Sequence, residues 1–206
     1  SFDNTDPELW KAKVRELSAM GIEYLVFMEV ANEGKAYYPS QLMPWWYDKD
    51  KQSPVEAILD EAARYDMKVF MSTGWAKDQD DNLQDPAIKQ RQLQIMEELA
   101  VFYKNHKAFY GWYLPVEDCL CPIFAEHAVQ SVNALTKKAR ALTPDKKTLI
   151  SPYGIGLSDF DNPEYEKQLA KLKVDIIAYQ DEVGCVRNKF MLPRLKKTWQ
   201  RLRDIH

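Results

Sequence analysis

The run Phe109-Tyr110-Gly111-Trp112-Tyr113-Leu114-Pro115-Val116-Glu117-Asp118 decides the fold of this 206-residue chain. It is short, apolar and aromatic, and it ends in two carboxylates after a proline. Such a run, bounded by turn residues, reads as a buried strand of a parallel sheet. On its N-terminal side Ile88, Gln92, Ile95, Met96, Leu99, Phe102 and Tyr103 trace one face of a helix. On its C-terminal side Phe124, Ala128, Val132, Leu135, Ala139 and Leu142 do the same. Helix, strand, helix is the unit, and the rest of the chain repeats it.

Four further runs have the same character: Tyr24–Val30, Lys68–Trp75, Thr148–Tyr153 and Val174–Gln180. Helices are expected between them, and the starts of four are marked chemically. Asp6-Pro7, Ser53-Pro54, Asp85-Pro86 and Asn162-Pro163 each set a capping side chain before a proline. The side chain accepts an orphan backbone N–H, and proline has no N–H to lose at the first helical position. Ser53-Pro54-Val55-Glu56 also fits a capping box.

The alternation implies parallel strands joined by crossover helices, in a doubly wound open sheet or a (β/α)₈ TIM barrel. The open sheet carries a glycine-rich phosphate loop after its first strand. The sole Gly-x-Gly, Gly154-Ile155-Gly156, has Asp159 where the third glycine belongs, and it reads as a turn. The barrel is therefore expected, with one difficulty. Eight strand–helix units take ~250 residues, and five strands are visible in 206. The expected assignment is a single domain, 1–206, covering helix one to helix six of a longer barrel and incomplete at both ends.

Composition narrows the function. The chain is 46% hydrophobic and 29% charged, with a net charge of −3 that provides no electrostatic footprint for nucleic acid. The basic residues Arg187, Lys189, Arg194, Lys196, Lys197, Arg201 and Arg203 read as a solvated helix face. No apolar run approaches the ~20 residues of a membrane span. No signal peptide is visible, but the chain opens at Ser1 without Met, which leaves export open. Cys119, Cys121 and Cys185 are an odd count, and Cys119-Leu120-Cys121 lacks the spacing of a zinc knuckle. They read as small hydrophobes, with a bridge from that pair to Cys185 as the alternative. Three scattered histidines, His106, His127 and His206, give neither a metal cluster nor a catalytic triad. Neither a metal nor a cofactor is expected.

Functional residues of a barrel sit at the C-terminal ends of its strands. Here those ends carry carboxylates, amides and aromatics, while the strand starts are plain. Strand alternation sets Gly111, Tyr113, Pro115 and Glu117 on one side. If that side faces the axis, Glu117 enters the mouth beside aromatic rings, which suits a general acid. Glu29, Trp45, Trp46, Trp75, Trp112, Tyr153, Tyr179, Gln180 and Asp181 are the candidate substrate contacts. Flat rings can pack against the apolar faces of a ligand while their polar edges still hydrogen-bond, although large aromatics serve equally well in cores.

Three stretches carry a resemblance: Gly111-Trp112-Tyr113-Leu114-Pro115-Val116-Glu117, Tyr37-Tyr38-Pro39-Ser40 and Ile177-Ala178-Tyr179-Gln180-Asp181. They resemble a domain-of-unknown-function family of glycoside-hydrolase-like TIM barrels related to the large retaining-glycosidase clan. The resemblance implies a saccharide ligand and an exported bacterial protein, periplasmic or at the cell surface. In that clan the acid/base carboxylate ends the fourth strand and the nucleophile ends the seventh. With helix one opening the chain, the five runs are the second to the sixth strands, and the one ending at Glu117 is the fourth. The clan sets Asn just before its acid/base, and this chain has Val116. Two expectations follow: a glycoside hydrolase with Glu117 as acid/base and its nucleophile beyond His206, or a barrel that binds carbohydrate without catalysis.

Overall fold

The computed structural model describes residues 5–74, 85–116, 120–180, 196 and 200–203. The four marked helix starts are capped as their sequence requires. The Asp6 carboxylate accepts the N–H of Glu8 at 3.1 Å and opens α1 (Pro7–Ala19). The Ser53 hydroxyl accepts that of Glu56 at 3.2 Å and opens α2 (Pro54–Arg64). Asp85 accepts from Ala87 at 2.8 Å and opens α3 (Pro86–Tyr103). Helix α4 (Glu126–Leu142) starts at Ala125 with no side-chain cap, so only its apolar face marked it in the sequence. Asn162 accepts from Glu164 at 3.0 Å and opens α5 (Pro163–Lys171).

The strands are shorter than the apolar runs. They are β1 (Tyr24–Phe27), a hairpin of β2 (Ala31–Asn32) and β3 (Lys35–Ala36), β4 (Lys68–Ser72), β5 (Phe109–Tyr113), β6 (Lys147–Ile150) and β7 (Ile176–Ile177). The first strand stops at Phe27, short of the Val30 expected, and the hairpin follows in what reads as loop. The hairpin turns on Glu33 and Gly34, whose φ values of 47° and 72° suit a two-residue hairpin loop.

Strand order separates the two architectures. The five parallel strands pair in sequence, β1-β4-β5-β6-β7, with no reversal of order. A doubly wound sheet reverses its order and covers both faces with helices. Here Val14 of α1, Leu59 of α2, Leu99 of α3, Leu135 of α4 and Leu169 of α5 all join one core with Val69, Met71 and Trp112 of the strands. The other face carries a smaller cluster of Phe70, Tyr113 and Leu149, flanked by Tyr110 and Ile176. All five helices therefore back one face, and the sheet is the curled arc of a (β/α)₈ barrel.

Register in β5 shifts by one residue, with Val69 opposite Phe109 but Phe70 opposite Gly111. The bulge directs Tyr110, Gly111 and Tyr113 to the inner face, while Phe109 and Trp112 pack outward. Glycine is needed at 111, because a Cβ there would lie 2.7 Å from the Phe70 ring and 2.5 Å from the Lys147 carbonyl oxygen. Residues 196 and 200–203 are helical, with Leu202 in the core and Arg201 paired to Asp161. No helix of the described residues is long and apolar enough to cross a membrane.

Candidate active site

Past their strands the chain ends remain stitched together. The N–H of Leu114 donates to the carbonyl of Leu149 (2.8 Å), and that of Leu120 to Tyr153 (2.9 Å). The N–H groups of Ala178 and Gln180 donate to Ile150 (2.8 Å) and Pro152 (3.0 Å). The Ser151 hydroxyl reaches the Ala178 carbonyl, and the Gln180 amide reaches the Ser151 carbonyl, each at 2.9 Å. These bonds extend the parallel ladder into a rigid rim at the C-terminal ends, where barrel enzymes keep their chemistry. At the end of β4, Gly74 takes φ +66°, and a Cβ there would lie 2.3 Å from the Ala31 carbonyl oxygen. The β2–β3 hairpin is thereby pressed onto that strand end.

Beyond the hairpin runs an aromatic loop held from several sides. The Trp45 indole N–H donates to the Ser40 carbonyl (2.9 Å), and its ring stacks on Tyr47 with centroids 5.4 Å apart. Trp46 lies 5.9 Å from the Tyr37 ring, with the Lys35 ammonium 4.6 Å over its face. The Ala36 N–H donates to Pro44 (2.9 Å), and the Trp46 N–H to Ala36 (2.8 Å). Tyr38 and Ser40 donate their hydroxyls to Glu98 of α3. The Tyr38 phenol is held far above its ordinary pKa, first by burial and then by the Glu98 carboxylate, against the Ser40 hydrogen bond. Two of the four residues of the motif Tyr37-Tyr38-Pro39-Ser40, Tyr38 and Ser40, thus anchor the loop from beneath.

Glu29 lies just past β1 and accepts from the Asn32 amide at 3.2 Å. It borders a cleft of about 210 Å³, lined also by Trp10, Val26, Met28 and Tyr37. Trp10, whose ring meets Phe27 edge-on at 6.3 Å, was missed in the sequence. It sits on a helix, and no strand-end rule reaches it. Tyr153 is exposed at the end of β6.

Two expected contacts point elsewhere. Trp112 is fully buried on the helix side of β5, and its indole N–H donates to the Thr143 hydroxyl at 2.8 Å. It packs the sheet against the C-terminal end of α4, opposite in parity to the inward Tyr113. Tyr179 shares a 2.8 Å hydrogen bond with Tyr165 of α5, a ring that stacks on Phe124. Burial pushes the Tyr179 phenol up to about 12, so it stays neutral in the packing of that helix. Val116 is also buried, in the same core as Trp112. Glu117, Trp75 and Asp181 lie outside the described residues, as do Cys119 and Cys185. Cys121 is an exposed free thiol.

Residues 3–206 match the model of the domain-of-unknown-function family DUF4434, and the chain belongs to it. No curated protein matches the sequence. Among solved structures, a candidate alpha-L-fucosidase from Bacteroides thetaiotaomicron superposes with a TM-score of 0.67 at 20% identity, over 86% of this chain and 60% of its own. An endo-1,4-beta-mannanase from Rhizomucor miehei does so with a TM-score of 0.57 at 10% identity, over 84% and 62%. An intracellular xylanase from Thermoanaerobacterium saccharolyticum gives 0.51 at 14% identity, over 85% and 61%. The chain spans about three-fifths of the length of these structures. At such identities the likeness is one of fold, and the fold is that of glycoside hydrolases.

Proposed function

We propose that this DUF4434 member is a glycoside hydrolase acting on an oligosaccharide or polysaccharide, with Glu117 as its general acid/base. The observation that carries this reading is the inner-face alternation of β5. Trp112 packs toward the helices while Tyr113 packs toward the axis. Leu114 and Val116 lie past the end of β5, where the Val116 N–H turns back to the Leu114 carbonyl at 2.7 Å; their burial in the core that holds Trp112 supports an axial carboxylate at the next residue, Glu117, at the end of the fourth barrel strand. Its role would be to protonate the leaving glycosidic oxygen and then to take a proton from the attacking water. Glu29, Tyr153 and the Trp45–Trp46 loop supply hydroxyl acceptors and flat rings for the sugar. Trp75 and Asp181 complete the proposed set of contacts, Asp181 as a binding rather than a reacting group. The nucleophile is assigned to the seventh barrel strand, beyond His206, and the place of action to the periplasm or cell surface.

In an active longer protein that includes this domain, Glu117→Gln should lower kcat by about 10²–10⁴-fold, the usual weight of a general acid, with substrate affinity retained. Unchanged kcat on aryl glycosides would move the acid to another carboxylate. A second reading, carbohydrate binding without catalysis, is favoured by Val116 alone. The position before the proposed acid carries a core side chain where the clan uses an amide to hold a sugar hydroxyl. Binding of oligosaccharides without turnover of any of them would select this second reading.

A further inference from the structure

Glu98 stands on α3, well away in sequence from every strand end, yet it takes three donors from one short segment. The Tyr38 and Ser40 hydroxyls donate to one carboxylate oxygen at 2.8 and 2.6 Å, and the Gln41 N–H donates to the other at 2.6 Å. Ser40 then relays the constraint outward. Its hydroxyl oxygen accepts the Leu42 N–H at 3.0 Å, and its carbonyl accepts the Trp45 indole N–H at 2.9 Å. The same helix supplies a second tie, from the Arg91 guanidinium to the Leu42 carbonyl at 3.1 Å. Hydrogen bonds to an ionised acceptor are short and strong, and three on one carboxylate hold it in a single place.

We propose that Glu98 is a positioning residue for saccharide binding: through Ser40 it sets the ring of Trp45, and with it the loop that carries the neighbouring Trp46, for the sugar to meet. The proposal rests on the saccharide reading given above, and it assigns Glu98 no contact with substrate. Its physical basis is preorganisation. The loop between β3 and α2, the 17 residues 37–53, loses conformational entropy when a ligand orders it, and a clamp formed in advance removes that cost from binding.

Glu98→Ala, Glu98→Gln and Ser40→Ala test the clamp in the whole chain labelled with 5-fluorotryptophan. The fluorine resonances of Trp45, Trp46 and Trp112 are identified by Trp→Phe replacement. In Glu98→Ala the Trp45 and Trp46 signals should shift or broaden while that of buried Trp112 stays in place. Glu98→Gln should fall between, since an amide oxygen still accepts from Tyr38 and Ser40 but its NH₂ cannot accept from Gln41. Ser40→Ala should reproduce the Trp45 change in a chain that keeps Glu98. By calorimetry, affinity for xylotetraose, cellotetraose or mannotetraose should drop by on the order of tenfold in Glu98→Ala. Unmoved Trp45 and Trp46 signals would overturn the assignment, whether or not sugar binds. So would displacement of all three signals together in both Glu98→Ala and Ser40→Ala, which marks a merely structural residue. If the unaltered chain binds none of the tetraoses, the saccharide reading fails, and the spectra alone decide the clamp.

Discussion

Trp112 and Trp46 show how little residue type says about role. Both are large aromatics at barrel positions, yet one is sealed under α4 and the other caps a loop beside Tyr37. Although Trp112 was expected as a substrate contact like Trp46, it is out of phase along β5 with Gly111 and Tyr113 and lies on the face that the helices cover. Removing its ring should therefore cost stability, about 3–5 kcal/mol for Trp112→Ala, with saccharide affinity unchanged in whatever protein remains folded. Trp45→Ala and Trp46→Ala should do the reverse and weaken binding more than they lower Tm. Thermal melts paired with calorimetric titration separate the two cases, and a collapse of Tm with affinity intact would return Trp45 and Trp46 to the core. Glu98 had no local signal at all, because its partners lie about 60 residues away and meet it only when α3 packs beside the loop.

Elements here are joined by polar ties as well as by apolar packing. At the starts of β6 and β7, opposite the proposed mouth, Asp175 accepts from the Thr148 N–H at 2.8 Å and its hydroxyl at 2.7 Å. Burial works against the ionised carboxylate, but the two Thr148 bonds, Arg140 and Lys147 outweigh it and hold Asp175 below its ordinary pKa. A carboxylate depressed in the folded state stabilises above its unfolded pKa, near 3.9, and loses that contribution as pH falls through the folded value. Asp175→Asn should thus be less stable than the parent at neutral pH, by about 1–3 kcal/mol. The gap should close in acid, which Tm measured from pH 7 to 2.5 would reveal; a gap constant with pH would dissociate the effect from ionisation. Ser53→Ala should cost about 1 kcal/mol for its lost cap. The α2 helix it opens also holds Glu61, buried and paired to Arg15 of α1 at 2.9 Å and to Arg64 at 3.1 Å.

At the scale of the molecule, the inner face of the arc is covered unevenly. Phe70 and Tyr113 are sealed beside Leu149, whereas Tyr24, Val26 and Met28 of the β1 segment are 46%, 43% and 40% exposed. A proposed nucleophile on the seventh barrel strand has a direct consequence for catalysis. The 206 residues by themselves should hydrolyse no glycoside, because a retaining pair needs its second carboxylate ~5–5.5 Å from the first and an inverting pair ~6.5–9.5 Å. Hydrolysis by this segment that vanishes in Asp181→Asn would overturn that expectation and make Asp181 the partner of Glu117. Sequence alone determined four of the helix starts and the five parallel strands. These follow from capping groups, proline and short apolar runs, which act within a few residues of themselves. Tertiary structure decided the rest: the barrel arc over the open sheet, the bulge at Tyr110, the diversion of Tyr179 to Tyr165, and the hold of Glu98 on the aromatic loop. Each depends on which residue stands opposite another across an interface, and nothing local in the chain records that.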